Sequence, residues 1–271
     1  MTFQDFPPAL PNRNIRDDIR DYWSDRASTF DHDPGHRIGS DRERAAWMAL
    51  FRRHLGAPNG RRLLDLASGT GEIALLCHDL GFRVTGLDWS DAMLERARLK
   101  ARTANAPIRF VQADAEHTML PAASQDLIVT RHLVWTLVDP AAAFAEWFRL
   151  LTPGGRLLVV DGDFVRQGWL RGLLGRLIGP QRLGADPQMA ARHADILSRV
   201  HFSGGAQAKA VAALLQAAGF TRIRIDTRLG PIHRAQATGF GWRQSLLRQS
   251  EHRYAISATR PAQNDPLASA R

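Results

Sequence analysis

Residues 63–93 read LLDLASGTGEIALLCHDLGFRVTGLDWSDAM, and their order decides the fold. Leu63-Leu64-Asp65-Leu66 is a short apolar run that carries a carboxylate near its end. Ala67-Ser68-Gly69-Thr70-Gly71 follows, small residues that let the backbone turn tightly and let a ligand approach it. Residues 72–80 repeat Ile73, Leu76 and Leu80 on one helical face, and Gly81 stops them. Residues 82–87 form a second strand-like run, closing on Asp88. Strand, helix and strand in this span make a βαβ unit, so a right-handed crossover and a parallel sheet are expected. Ligands in such sheets bind at the carboxyl ends of the strands, where Asp65 and Asp88 both fall.

The bulk properties are compatible with one α/β domain. The chain has 271 residues, enough to bury a sizeable core, and 23% of them are charged, as in ordinary globular proteins. Cys77 is the single cysteine, which excludes an intrachain disulfide and a cysteine zinc cluster. The stretch MTFQDFPPALPNRN lacks the basic and apolar regions of a signal peptide. No apolar run reaches the length of a membrane span, so a cytoplasmic protein is expected. The net charge of +9 raises the question of a nucleic-acid partner. However, 34 of the 36 basic residues are arginines, spread along the chain and mostly set beside acids, as in RNIRDDIRD. A solvated mixed-charge surface is favoured over a nucleic-acid face.

Gly69-Thr70-Gly71-Glu72-Ile73-Ala74 also fits the dinucleotide pattern G-x-G-x-x-A, with Asp88 as the ribose acid. That pattern wants a pyrophosphate on the helix N-terminus. A carboxylate at Asp65, four residues ahead of Gly69, suits a ligand bearing an ammonium group instead.

The motifs beyond this unit carry a more specific signal. Asp65 to Gly71 reads as D-x-G-x-G-x-G with Ala67 in place of the first glycine. GLDWSDAML (86–94) is an acidic strand end followed by a Ser-capped helix. VQADAEHTMLP (111–121), QDLIVTRHLVWTLVDP (125–140) and RLLTPGGRLLVVD (149–161) follow in order. Together they resemble the class I S-adenosylmethionine-dependent methyltransferases, in the branch of ubiquinone/menaquinone-type and other small-molecule enzymes. The resemblance covers residues 40–160 well and the last strands more loosely. It implies a Rossmann-like seven-stranded fold, a mostly parallel sheet with helices on both faces, with S-adenosylmethionine as methyl donor and S-adenosylhomocysteine as product.

The same resemblance implies site roles. The backbone of Ala67, Ser68, Gly69 and Gly71 would hold the methionine moiety, with Asp65 near its ammonium. Asp88 would accept both ribose hydroxyls, since a carboxylate is an acceptor-only fork. Trp89 would stack on the adenine and Met93 pack on its other side. Asp114 would take the adenine amino group and the Ala115 N–H a ring nitrogen. Arg131 would bind the methionine carboxylate or an anionic substrate. His132 is a candidate base near neutral pH, with Trp135 lining the acceptor pocket.

The remaining chain is placed coarsely. Residues 15–30 read as a helix with an aromatic stripe of Tyr22, Trp23 and Phe30. By resemblance it is a lid, with Tyr22, Trp23 and Arg26 over the substrate, and residues 1–40 form the lid helix and its loop. His32 and His36 are four apart, but Pro34-Gly35 between them argues against a shared helical face, so no metal site is expected. Helices are expected at 41–55, 140–150 and 206–218, and strand five at 157–161 after the Pro153-Gly154-Gly155 turn. Residues 41–260 make the cofactor-binding domain, with helical cap insertions at 162–205 and 235–250. The stripe of Trp169, Leu173, Leu174, Leu177 and Ile178 is read as part of a cap rather than a membrane-surface helix. TRIRIDTRL and HRYAISATRP are the last two strands, antiparallel, and 261–271 is a polar tail.

The expected activity is methyl transfer to a small-molecule acceptor at O, N, S or C by in-line displacement. Alignment and desolvation supply most of the rate. Three alternatives stay open: a nicotinamide-dependent oxidoreductase using Gly69–Ala74, an RNA methyltransferase, and a non-catalytic binder of S-adenosylmethionine. Nothing in the sequence fixes the acceptor or the oligomeric state.

Overall fold

The computed structural model describes residues 14–33, 35–163, 165, 187–237 and 252–262. Its centre is one sheet whose strands are β1 Arg62–Leu66, β2 Arg83–Asp88, β3 Arg109–Gln112, β4 Gln125–Arg131, β5 Leu151–Asp163, β6 Thr221–Asp226 and β7 His252–Thr259. Their order is β3-β2-β1-β4-β5-β7-β6. The β1–β2, β1–β4, β2–β3 and β4–β5 pairs are parallel. β7 runs antiparallel to both β5 and β6, so the last two strands pair as expected. This is the Rossmann-like seven-stranded arrangement of the methyltransferase fold.

The described helices are α1 Ile15–Arg26, α2 Asp41–Leu55, α3 Glu72–Asp79, α4 Asp91–Thr103, α5 Pro140–Leu150, α6 Pro187–Arg199, α7 Ala208–Ala217 and α8 Gly230–Ala237. Strand alternation divides the core between the two faces of the sheet. Leu64, Leu66, Ile128, Leu157 and Val159 pack with Phe144 and Trp147 of α5 and Val211 and Leu215 of α7. Leu63, Leu127, Val129, Leu158 and Val160 pack with Trp47 and Phe51 of α2 and Ile73 and Leu76 of α3. The apolar runs Leu63-Leu64 and Leu66 of β1, Leu127-Ile128-Val129 of β4 and Leu157-Leu158-Val159-Val160 of β5 are what a sheet covered on both faces requires.

Three boundaries differ from the sequence reading. The first helix stops at Arg26 instead of continuing to Phe30, and residues 30–32 form a short 3-10 turn. Arg26 reaches Asp33 in an ion pair, which folds the chain back on itself. β5 begins at Leu151, where Leu151 pairs with Gln125. The ladder resumes at Leu127 and Arg156, so the Pro-Gly-Gly stretch is an excursion inside the strand. The second insertion begins as α8 at Gly230, ahead of residue 235, and residues 238–251 lie outside the described part. The 168–180 stripe and residues 263–271 of the tail lie outside it as well.

Gly71, at the start of α3, combines a left-handed backbone with a close neighbour in the core. Its φ is +84°, and a Cβ placed on it would stand 3.1 Å from Ala97 Cβ. Gly71→Ala is therefore expected to lower stability by about 1–3 kcal/mol, since it combines a left-handed backbone with a tight contact. Chemical denaturation read by circular dichroism measures this, and an unchanged midpoint would contradict the packing described.

Candidate active site

A cavity of about 500 Å³ opens at the carboxyl ends of β1, β2 and β4. Nearly every residue singled out in the sequence lines it. The β1 end supplies Asp65, Ala67, Ser68 and Gly69, and the β2 end supplies Asp88, Trp89 and Met93. Asp114 and Ala115 come from the loop after β3, and Arg131, His132 and Trp135 from the end of β4. Tyr22, Trp23 and Arg26 of α1 close the other side. Gly71 is not among the lining residues, and a Cβ added to it would meet Ala97 behind the turn.

Asp88 organises the end of the cavity beside the glycine turn. Its Oδ2 accepts from Gly69 N–H and its Oδ1 from Ser90 N–H, both at 2.9 Å. Ser90 in turn caps α4 by accepting from Met93 N–H at 3.3 Å. Burial pushes the Asp88 carboxyl up to about 6, against the backbone N–H groups that favour its charged form. One carboxylate thus ties the glycine turn to the start of α4 and keeps acceptor capacity on each oxygen.

Asp65 is 1% exposed, and its Oδ2 has no hydrogen-bond partner. Burial, opposed by the nearby Arg131 and reinforced by Asp88, raises its carboxyl to about 8. Ser68 Oγ is likewise buried without a partner. Buried polar groups are normally satisfied. An orphaned acceptor of this kind at the cavity wall fits a ligand that brings a cationic donor, and S-adenosylmethionine carries an ammonium. Ala67 holds φ +54°, a conformation an L-residue adopts at a cost and one that the glycine of the related motif adopts freely.

Other expected residues are engaged by neighbouring segments. Asp114 Oδ2 is ion-paired with Arg16 of α1 at 3.0 Å, and its Oδ1 accepts from Glu116 N–H. Arg131 donates to the carbonyls of His36 at 2.7 Å and Gly35 at 3.4 Å, and lies over the Trp47 ring. It thereby pins the loop after α1 beside Asp65. A second set of bonds fixes the same loop. Lys100 Nζ reaches Asp31 at 2.7 Å and Glu72 at 2.6 Å, while Thr70 Oγ1 donates to Asp31 at 2.6 Å. His132 sits at φ +60°, and its carbonyl accepts from Trp135 Nε1 at 3.0 Å.

The aromatic end of the cavity contains residues that the sequence reading did not assign to the site. His193 of α6 stacks on Tyr22, centroids 5.5 Å apart, and meets Trp135 edge-on at 5.5 Å. Trp23 stands edge-on to Phe30 and to Trp135. Phe30 stacks on His36 at 4.1 Å, and both line the cavity. Burial, helped by Arg26, lowers the pKa of His193, which keeps its imidazole neutral at neutral pH. A signal for α6 was present: Met189, His193, Ile196, Leu197 and Val200 recur at helical spacing. That face packs on Ile19 and Tyr22 of α1, and Arg192–Asp25 and Arg199–Asp18 pair the two helices at 2.7 and 2.6 Å. Glu116, 4% exposed, was also missed; it joins Arg16 at 2.6 Å and accepts from Val138 N–H at 2.7 Å.

Comparison with known proteins agrees with this geometry. Residues 64–159 match the model of a methyltransferase domain. A demethylmenaquinone methyltransferase of Thermus thermophilus is 37% identical over 122 residues, which are 44% of this chain and 53% of that protein. The chain therefore spans about half the length of this curated relative. Among solved structures, phosphoethanolamine N-methyltransferase 2 of Haemonchus contortus, in complex with S-adenosyl-L-methionine, superposes with a TM-score of 0.65. Its identity is 16%, over 94% of this chain and 61% of that one. Geranyl diphosphate C-methyltransferase of Streptomyces coelicolor, with S-adenosyl-L-homocysteine bound, gives 0.62 at 18% identity over 94% and 100%. The sheet has the Rossmann-like methyltransferase arrangement, the matched residues 64–159 hold most of β1, all of β2 to β4 and most of β5, and the cavity lies at the ends of those strands. No described helix is long and apolar enough to cross a membrane.

Proposed function

We propose that this protein transfers the methyl group of S-adenosylmethionine to a small-molecule acceptor in the cytoplasm. The observation that carries the reading is Asp65 Oδ2, an unpartnered buried acceptor beside the glycine turn that Asp88 organises. When bound, S-adenosylmethionine supplies a methyl group on a sulfonium, open to in-line displacement. Asp65 and the Ala67–Gly69 backbone would hold its amino-acid end, and Asp88 its ribose. Trp89 and Met93 would flank the adenine, and Asp114 and Ala115 would meet its edge.

The acceptor would occupy the end lined by Tyr22, Trp23, Trp135, His193 and Leu197, where flat aromatic walls suit an acceptor with an apolar body. The relatives named above differ in acceptor, so their names do not choose one. His132 remains the proposed base, and His193 is a second imidazole able to accept a proton from the acceptor. Arg131 would act by positioning the loop 35–36 and by its charge near Asp65. Alignment and exclusion of water by the lid supply most of the acceleration, of which effective molarity can contribute about 7–11 kcal/mol at best.

The experiment is calorimetric titration of the full chain with S-adenosylhomocysteine and, separately, NADH. Micromolar binding of the first and none of the second is expected. Binding of NADH alone would return the glycine turn to the dinucleotide reading.

A further inference from the structure

A second concave region, about 700 Å³, lies at the opposite end of the sheet, where β5 leaves its Pro-Gly-Gly excursion and β7 ends. Five guanidiniums line it: Arg53, Arg156, Arg222, Arg224 and Arg228. Asp226 is the only acid among its lining residues. Guanidiniums therefore outnumber carboxylates among its lining residues.

The arrangement is built rather than accidental. Asp226 is 6% exposed and gathers its neighbours: Arg53 at 3.2 Å, His54 at 3.0 Å and Arg228 at 3.2 Å. It fixes one wall of the groove from α2 and from the chain after β6. The other wall is the edge strand β6. There the register with β7 shifts between Thr221 and Arg224, and Arg222 takes φ +51°. Bulges at sheet edges re-aim side chains, and this one adds Arg222 and Arg224 to the groove. Arg156 enters from β5. Like charges are crowded as well: Arg61, packed near Arg156, has its pKa lowered by burial and by that neighbour.

The lining also says what the ligand is not. No Phe, Tyr or Trp is among the lining residues, and the one imidazole, His54, is tied to Asp226, so the groove lacks the broad stacking platform of single-strand binders. Ile225, Ala258 and Ala262 give little apolar floor. What remains is a hydrophilic groove within the size range of small-ligand sites, carrying forked donors that match phosphate oxygens.

The geometry points to this groove as a binding site for an oligophosphate anion, separate from the methyltransferase cavity. Arg156 and Arg224 clasp the phosphate chain, and Asp226 holds Arg53 and Arg228 in position to complete the ring of donors.

The test titrates the full chain with inorganic tripolyphosphate at physiological ionic strength. The wild type is expected to bind with a micromolar Kd and with a thermal upshift at saturating ligand. Arg156→Gln/Arg224→Gln should weaken binding by about tenfold or more, the loss of two charge-assisted contacts. S-adenosylhomocysteine affinity, read on the same samples, should be unchanged, which shows that the variant is folded and that the two sites are independent. Equal binding by wild type and variant, or no binding by wild type, overturns the proposal. So does tighter, variant-sensitive binding of a single-stranded RNA oligomer with none of tripolyphosphate, which would make the groove a nucleic-acid surface.

Discussion

Asp88→Ala will reduce the affinity for S-adenosylhomocysteine by more than about a hundredfold. Two effects add. The side chain would meet the ribose through charge-assisted hydrogen bonds, each worth about 1.5–3 kcal/mol. It also holds the Gly69 and Ser90 N–H groups at 2.9 Å, so its removal frees the turn and the start of α4 together. About 3 kcal/mol corresponds to the stated loss. Titration calorimetry measures it, and the melting temperature of the unliganded variant separates lost contact from lost fold. Asp88→Asn keeps the shape and one acceptor oxygen, so it should fall between wild type and alanine. If Asp88→Ala bound the ligand as well as wild type does, Asp88 would have no part in the cofactor site.

The second large effect is on pH. Asp65 is raised to about 8, chiefly by burial, so in the unliganded protein it is mostly protonated at pH 7. A ligand ammonium favours the carboxylate and pulls this pKa down. Binding below pH 8 therefore releases a proton. The affinity for S-adenosylhomocysteine should rise about tenfold per pH unit between about 6 and 8 and then level. Below pH 6 Asp88, raised to about 6, adds to the dependence. Calorimetry at pH 7 in buffers of different ionisation enthalpy should count close to one proton released, and Asp65→Asn should abolish it. A flat profile would mean that Asp65 does not meet the ammonium. The stability of the free protein has a matching sign. A carboxyl raised in the folded state favours folding at low pH. That contribution is lost as pH climbs from the unfolded value near about 4 through 8.

Much of the half around Asp65 and Asp88 was legible because it is contiguous. One strand, one turn, one helix and a second strand place Asp65 and Asp88 side by side through parallel pairing, where Asp65 faces Gly86 in the register. Local signals sufficed there: a period of two, a period of 3.6 and small residues at the turn. The aromatic half of the cavity was only partly legible. Tyr22 and Trp23 were expected there by resemblance and Trp135 from its place after the fourth strand, whereas His193, Phe30 and His36 enter the cavity through packing between segments far apart in sequence. Neither a helical stripe nor a loop states what it packs against. Gly71 adds something that its spacing does not state: a side chain added there would meet Ala97, so the position is also constrained by packing. The length of β5 was underestimated because a proline and two glycines read as an end, while the ladder resumes beyond them.

The network around Lys100 has a consequence for how the site is entered. Asp31, Thr70, Glu72 and Lys100 join the loop after α1 to the turn, and Arg16 joins α1 to Asp114 and Glu116. The helix and loop that bound the chamber are thus tied to the turn and to the chain after β3, beside the walls where the methyl donor would lie. Under the proposed function, opening this loop to admit an acceptor would also disturb the wall that holds the donor.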